Sequence, residues 1–270
     1  MGLLARRRAL GASLVALTLA TLFACDGSST GAPCDPPVLF GHRGTPLRAP
    51  ENTQPAFDWA IAEGADGIEL DVKRTADDVL VAMHDRTTER TTDDPEPRRI
   101  DALTVDEISA LDAGAWFSSS FAGTRVPTLI EAAEAIDERV LILVDHVAPD
   151  TVSLVARASE EPALVGRMWA SSFDLDTLAE LHAAAPGVPI VAYVDSLDEI
   201  DRAIEVGAFA LRIPKDIESD LSLQDMVRSR GLVPAVSGRY TQWNGGIGLV
   251  NDMARTAERR RERAPEGCLD

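Results

Sequence analysis

Glu69 and Asp71 stand two residues apart in the segment GADGIELDVKRTADDVLVAMHD (64–85), and His84-Asp85 closes it. Gly64-Ala-Asp-Gly breaks a preceding helix. IELDV (68–72) then alternates as a strand does, so the two carboxylates share a face. Two carboxylates on one face repel unless a cation lies between them, and a hard divalent ion is the natural partner. A second short apolar run, 79–83, brings His84 and Asp85 into the same neighbourhood. A solvated edge strand with its charges outward produces the same pattern, and this segment alone does not separate the two readings.

The elements upstream tip the balance. VLFGH (38–42) reads as a buried strand running into Arg43-Gly44, so His42 ends a strand. PENT (50–53) opens a helix over 54–63, with Asn52 or Thr53 as side-chain acceptor for its first amides. The chain therefore begins strand, loop, helix, strand, with polar residues at the C-terminal strand ends.

FGHRG, then PENTQPAFDWAIAEGADGIELDVKRTADD, then VLVAMHDRTTERTT closely resemble the glycerophosphodiester phosphodiesterase family of the PI-PLC-like phosphodiesterase superfamily. The resemblance continues through LTVDEI (103–108), GAWF (114–117) and VPTL (126–129), similar to that family's insertion after the second strand, here about 86–127. It covers 38–175 well and thins beyond. It implies a TIM (β/α)8-type barrel, and the rest of the chain suits one. Strands are predicted over 139–145, 168–172, 189–194, 209–213 and 232–236, with helices over 175–185, 197–206 and 221–230. Strands separated by such helices pair in parallel with right-handed crossovers. These make seven strands. A helix over 248–263 follows, so the last strand is expected to be weak or missing, with either a stub near Cys268 filling the gap or the barrel left open.

In such a barrel the catalytic groups sit at the C-terminal strand ends. His42 and Arg43 end the first strand, Glu69 and Asp71 the second, Asp145 the third. The resemblance implies that Glu69, Asp71 and Asp145 bind a divalent cation, Mg²⁺ or Ca²⁺, while His42 and His84 serve as acid and base. Phosphodiester cleavage needs charge neutralised on non-bridging oxygens, a nucleophile deprotonated and a leaving alkoxide protonated. An oxygen-bound divalent ion and two imidazoles supply these. Arg43 is the candidate to grip the phosphate through its planar donor fork; an ion pair with Glu51 is the alternative. His146 and His182 read as surface or packing residues, and Glu51 as a helix cap.

Two departures from the family stand out. Its third strand ends Glu-x-Lys, whereas this chain has Asp145-His146-Val147, keeping a shorter ligand and losing a cation. The related sphingomyelin-cleaving phospholipase D family also uses Asp there. The seventh strand reads AVSGR (235–239) in place of WTVN, with Arg239 as a replacement charge and Tyr240 and Trp243 near the same mouth. The implied function is metal-dependent hydrolysis of glycerophosphodiesters to an alcohol and glycerol 3-phosphate. The alternatives are a phospholipase acting on intact lipid, like sphingomyelinase D or PI-PLC, or a degenerate barrel that only binds phosphodiesters.

Arginines 6–8 precede an apolar run, 9–24, too short and too punctuated for an ordinary spanning helix. Its end, LFAC (22–25), resembles a bacterial lipoprotein signal. This predicts a signal peptide at 1–24, lipidation at Cys25, a flexible linker at 25–37 and a barrel domain at 38–270. The protein is then expected in the bacterial cell envelope, lipid-anchored on the periplasmic or extracytoplasmic face of a membrane. The formal charge is −18, or about −21 without the three leader arginines. Such acidity argues against nucleic acid and against adhesion to anionic lipid. It leaves room for a small phosphodiester, because a bound cation inverts the local field. No protein partner is inferable. Cys34 and Cys268 show no zinc spacing and are predicted to form a disulfide, since in a barrel both would lie on the face opposite the site. The bridge would contribute roughly 4–5 kcal/mol on a loop-entropy account.

Overall fold

The computed structural model describes residues 36–237, 245–262 and 264. Cys25, Cys34, Arg239, Tyr240, Trp243 and Cys268 lie outside them, as does the predicted signal peptide. The chain opens with β1 (Val38–His42), α1 (Gln54–Ala62) and β2 (Gly67–Arg74), and β3 (Leu80–Ala82) returns antiparallel on β2. After α2 (Val105–Ser109) and α3 (Leu129–Ala135) it continues β4 (Leu141–Asp145), α4 (Val152–Ala158), β5 (Met168–Ser172) and α5 (Leu175–Ala184). Then come β6 (Ile190–Tyr193), α6 (Ile200–Glu205), β7 (Ala210–Arg212), α7 (Leu221–Ser229), β8 (Val233–Ser237), β9 (Ile247–Val250) and α8 (Met253–Glu262).

All strands but β3 pair in parallel, and β1 bonds both β2 and β9, so eight strands close a barrel. The strands are apolar on both faces because both are covered. Outward residues such as Ile68, Leu70 and Ile142 pack with Phe57 of α1 and Leu129 of α3. Inward residues, among them Phe40, Leu143, Trp169 and Leu249, plug the barrel, with the Phe40 and Trp169 rings 5.2 Å apart. Glu69 and Asp71 belong to this inward face, so they sit above an apolar plug.

The expectation of a weak or missing last strand is corrected here. Ile247–Val250, part of it read as helix, is a strand bonded to β1 from Val38↔Ile247 to Gly41↔Val250 and to β8 from Ala235↔Ile247 to Ser237↔Leu249. Ile247 and Val250 favour a strand, but the run is only four residues long and interrupted by Gly248, so its pairing to the two waiting edges decides it. Helix α8 therefore starts five residues later than predicted. Its Arg260 donates to Asp66 and to the carbonyls of Pro37 (3.2 Å) and Gly64 (3.3 Å), clasping the N-terminal rim of the barrel.

The insertion packs as a small layer on β3. Ile100, Leu103, Ile108 and Val126 cover Val81 and Met83, and a Thr104–Glu107 capping box starts α2. No helix among the described residues is long and apolar enough to cross a membrane.

Candidate active site

The parallel register aligns the strand ends: His42 is level with Glu69 and Asp71 with Asp145. Glu69 and Asp71 are wholly buried and Asp145 is 5% exposed. One ligand oxygen of each lies within 4.8 Å of the others. Each carboxylate has an oxygen fixed by the protein. Glu69 Oε2 accepts from the Arg43 amide (2.6 Å), Asp71 Oδ2 from Asn52 Nδ2 (2.7 Å), and Asp145 Oδ1 from the His146 amide (2.6 Å) and Ser171 Oγ (2.9 Å). Glu69 Oε1 and Asp71 Oδ1 are buried with no hydrogen-bond partner. Burial, and then the charges of Asp71 and Asp145, push the Glu69 carboxyl well above its ordinary range. Three converging carboxylates, two of them with an orphaned buried oxygen, fit a divalent ion with oxygen ligands, with the fixed oxygens orienting the free ones.

The backbone bends to make these contacts. Arg43 (φ 55°), Asn52 (φ 57°) and His146 (φ 57°) all occupy the left-handed region, and all three are donors to the carboxylates just named. Such conformations cost a non-glycine residue of order 1–3 kcal/mol and gather at functional sites. Gly44 completes the first turn at φ 82°, where an added Cβ would lie 2.6 Å from the Ala56 carbonyl carbon.

Asn52 is therefore not a helix cap. Thr53 takes the cap position of α1 but its side chain caps no amide; it donates to the Pro50 carbonyl instead. A proline near the helix start leaves fewer amides to satisfy, which frees Asn52 for Asp71.

His42 Nδ1 is 2.7 Å from Asn251 Oδ1, one residue past β9. With the amide oxygen facing the ring, Nδ1 carries the proton and Nε2 keeps its lone pair. Burial, followed by the adjacent Arg43 charge, lowers the His42 pKa from its ordinary value. His84 Nδ1 lies 2.6 Å from Asp85 Oδ1. Arg90, from the insertion, donates to both Asp85 (2.7 and 3.0 Å) and Glu51 (2.8 and 2.8 Å), and Glu51 accepts from Arg43 Nη1 (2.9 Å). The Arg90 hydrogen bonds hold the Asp85 carboxyl well below the usual range. Arg43 Nε stands 3.2 Å from Asp71 Oδ2. A chain of alternating charge thus runs from His84 to Asp71. Glu51 acts in it as an ion-pair partner, and the Arg43 fork faces carboxylates.

His146, read from sequence as a surface or packing residue, belongs to the site. Its Nε2 is 3.5 Å from Asp71 Oδ1 and its ring packs edge-on against His84 at 5.2 Å. Asp71, His84 and His146 form a second group with ligand atoms within 4.8 Å. Its position directly after a strand-end carboxylate was the available signal. His182 lies on α5 beside Gly207, away from the mouth. Sequence reasoning also missed Asn251, Ser171, Arg90 and Lys73. Lys73 alone had a cue, continuing the alternation of Glu69 and Asp71. Burial draws its pKa down, while the Asp71 and Asp145 charges hold it up. Beside the carboxylates a cleft of about 880 Å³ is lined by Lys73, His84, His146 and Phe173 among others.

A closed parallel barrel with a buried acidic cluster and paired histidines at its C-terminal mouth belongs to the class of barrel phosphodiesterases. The model of the glycerophosphoryl diester phosphodiesterase family matches residues 42–215, more than half of the chain, and the chain belongs to that family. The glycerophosphodiester phosphodiesterase of Caldanaerobacter subterraneus subsp. tengcongensis is 36% identical over 159 residues, covering 57% of this chain and 65% of that protein. The match thus spans just under two thirds of that relative's length. One from Bacillus subtilis is 28% identical over 220 residues, covering 73% and 74%. The crystal structure of glycerophosphodiester phosphodiesterase from Agrobacterium tumefaciens superposes with a TM-score of 0.73 at 27% identity, covering 82% of this chain and 99% of that one.

Proposed function

We propose that this protein is a metal-dependent phosphodiesterase that hydrolyses glycerophosphodiesters to an alcohol and glycerol 3-phosphate. The observation that carries the proposal is the convergence of Glu69, Asp71 and Asp145, with two orphaned buried oxygens, beside His42 and His84. Mg²⁺ or Ca²⁺ held by these carboxylates supplies positive charge against the non-bridging phosphate oxygens. His42 Nε2, its lone pair free, accepts a proton from the attacking water as the water oxygen bonds to phosphorus. His84, oriented by Asp85 and carrying a proton on Nε2, gives it to the alkoxide as the P–O bond breaks. Arg43 and Asn52 keep the carboxylates in place between turnovers. The acidic surface favours a soluble headgroup over an intact anionic lipid.

The test is hydrolysis of glycerophosphocholine by the purified protein, before and after EDTA and after restoring Mg²⁺ or Ca²⁺, with intact phospholipid and sphingomyelin alongside. Activity lost to EDTA and restored by the ion is the expected result. Equal rates in EDTA remove the metal from the reading, and failure to cleave any diester removes the activity.

The proposal extends to placement. The LFAC sequence supports acylation at Cys25 and a lipid anchor in the cell envelope, and a Cys34–Cys268 disulfide is part of the same reading. Mass spectrometry of the membrane-extracted protein decides both. An unmodified residue 25 overturns the anchor, and two free thiols overturn the bridge.

A further inference from the structure

We propose that Lys73 and Arg86 form an anion clamp that takes the non-bridging oxygens of the substrate's phosphodiester, a role that rests on the phosphodiesterase reading above. The placement follows from β2. Glu69, Asp71 and Lys73 alternate on one face, and the last rung of the barrel between β2 and β4 is Asp71↔Asp145. Lys73 pairs instead with Val81 of β3, beyond the barrel ring. It therefore stands one strand repeat above Asp71, about 6.6 Å further along, over the mouth. Its side chain lines the cleft together with His84 and His146.

Two features mark it as a binding group. An ammonium has three donors, and only one bond is made, from Nζ to the Val72 carbonyl at 3.2 Å. No carboxylate pairs with it among the described residues, although it is half-buried. A partly desolvated charge left without a partner costs free energy that an anionic ligand would offset. Arg86 lines the same cleft, and its guanidinium has no hydrogen bond or ion pair among the described residues. The other two arginines of the cleft are neutralised: Arg74 by Asp78 (2.9 Å) and Asp150 (3.3 Å), Arg99 by Asp101 (2.9 Å). Lys73 and Arg86 are thus the cleft's lysine and arginine with no carboxylate in ion-pair contact among the described residues, Lys73 half-buried and feeling the Asp71 and Asp145 charges only across space, Arg86 exposed at the rim. Lysine itself occurs at only two positions, 73 and 215, against 24 arginines. The chain thus places a compact point charge where a tetrahedral phosphate oxygen approaches the carboxylate cluster, and a planar donor at the rim.

The experiment reads phosphate binding separately from turnover. Glycerol 3-phosphate and inorganic phosphate are titrated calorimetrically into the wild-type protein and the Lys73→Met, Lys73→Arg, Arg86→Met and double variants. Folding of each variant is verified by circular dichroism and by an unchanged cooperative thermal melt. The expected result is a loss of about 10–100-fold in phosphate affinity for Lys73→Met, a smaller loss for Arg86→Met, and partial recovery in Lys73→Arg. KM for glycerophosphocholine should rise in the same order. Phosphate affinity within twofold of wild type in Lys73→Met overturns the clamp, even where the wild type hydrolyses the diester. Weakened phosphate binding in Lys73→Met and Arg86→Met, with a wild type that binds phosphate but cleaves no diester, upholds the clamp and overturns the function.

Discussion

The two sides of the barrel share one hydrogen-bond ladder but carry different groups. On β1, β2 and β4 the inward strand ends are His42, Glu69, Asp71 and Asp145, held by left-handed backbone at Arg43, Asn52 and His146. On β5 to β9 the inner face is largely apolar, with Trp169, Val191, Tyr193, Ala235 and Leu249 buried in one cluster. Among the described residues, Ser171 and Asn251 are the ones that hydrogen-bond from this second side to a site residue. The comparison teaches a division of labour. The carboxylates gather on one side, while the opposite wall is apolar apart from Arg212, which stacks over Phe173 and Tyr193 and donates to Ser237; an apolar wall lowers the local dielectric and strengthens interactions at the mouth. The wall is felt by its own polar group too: burial, then the charges of Asp145 and Glu69, push the Tyr193 phenol well above its ordinary range.

Breaking the charged side should have the largest effect. Asp71→Ala removes the carboxylate shared by both candidate ligand groups. It should lower kcat/KM by about 10³-fold or more and abolish binding of the divalent ion, since such an ion stabilises the transition state by several kcal/mol. His42→Ala and His84→Ala should cost about 10²–10⁴-fold in turnover with metal affinity nearly intact, the span of a positioned acid or base. Steady-state kinetics and metal titration on the same samples separate the two classes. If the histidine variants lose metal as completely as Asp71→Ala, their assignment to proton transfer fails.

Changes on the apolar side should act through the charged one, and more weakly. Ser171→Ala frees one bond to Asp145, and Asn251→Ala frees the ring of His42. Losing a group that orients a ligand typically costs about 10–100-fold. Ser171→Ala should thus weaken metal binding, whereas Asn251→Ala should lower kcat and leave the metal alone. Identical profiles for the two would mean that the second side does not support the site residue by residue.

How much of this was legible beforehand follows the same division. The charged side is local in sequence: a strand, a turn, a helix and a strand place His42, Glu69 and Asp71 within thirty residues, and alternation alone puts the two carboxylates on one face. The apolar side is not local. Strand β9 is fixed by the edges that β1 and β8 offer on either side; Ile247 and Val250 favour it, but a four-residue run broken by Gly248 is easily absorbed into the helix that follows. Asn251 was hidden for the same reason, because it faces His42 only once the barrel closes. His146 was hidden by backbone geometry: a φ of 57° turns it back over Asp71 when a continued strand would have carried it away. Asn52 was misread because its chemistry suits a cap equally well, and only the position of Asp71 decides between them.

The smallest predicted effect is on stability and concerns Glu69. Its carboxyl lies in full burial beside two others, so its pKa in the folded, metal-free protein is raised well above the ordinary 4.5. Between that ordinary value and the raised one, the folded state keeps a proton that the unfolded state has released. Metal-free stability therefore falls as pH rises through this window. Glu69→Gln keeps the shape and removes the titration. In EDTA at pH 8 the variant should be more stable than wild type by about 1–3 kcal/mol, or roughly 2–4 °C in Tm for each kcal/mol. Near pH 4.5 the gap should close, because there the wild-type carboxyl is protonated in the folded state as well. With the divalent ion at about a thousand times the wild-type Kd, the wild type gains about 4.1 kcal/mol, the variant with its weakened site gains less, and the order should reverse. Thermal melts of both proteins at the two pH values, with and without metal, carry the test. A variant destabilised equally at both pH values in EDTA would show that Glu69 is held in place by its bond to the Arg43 amide more than it is repelled by its neighbours.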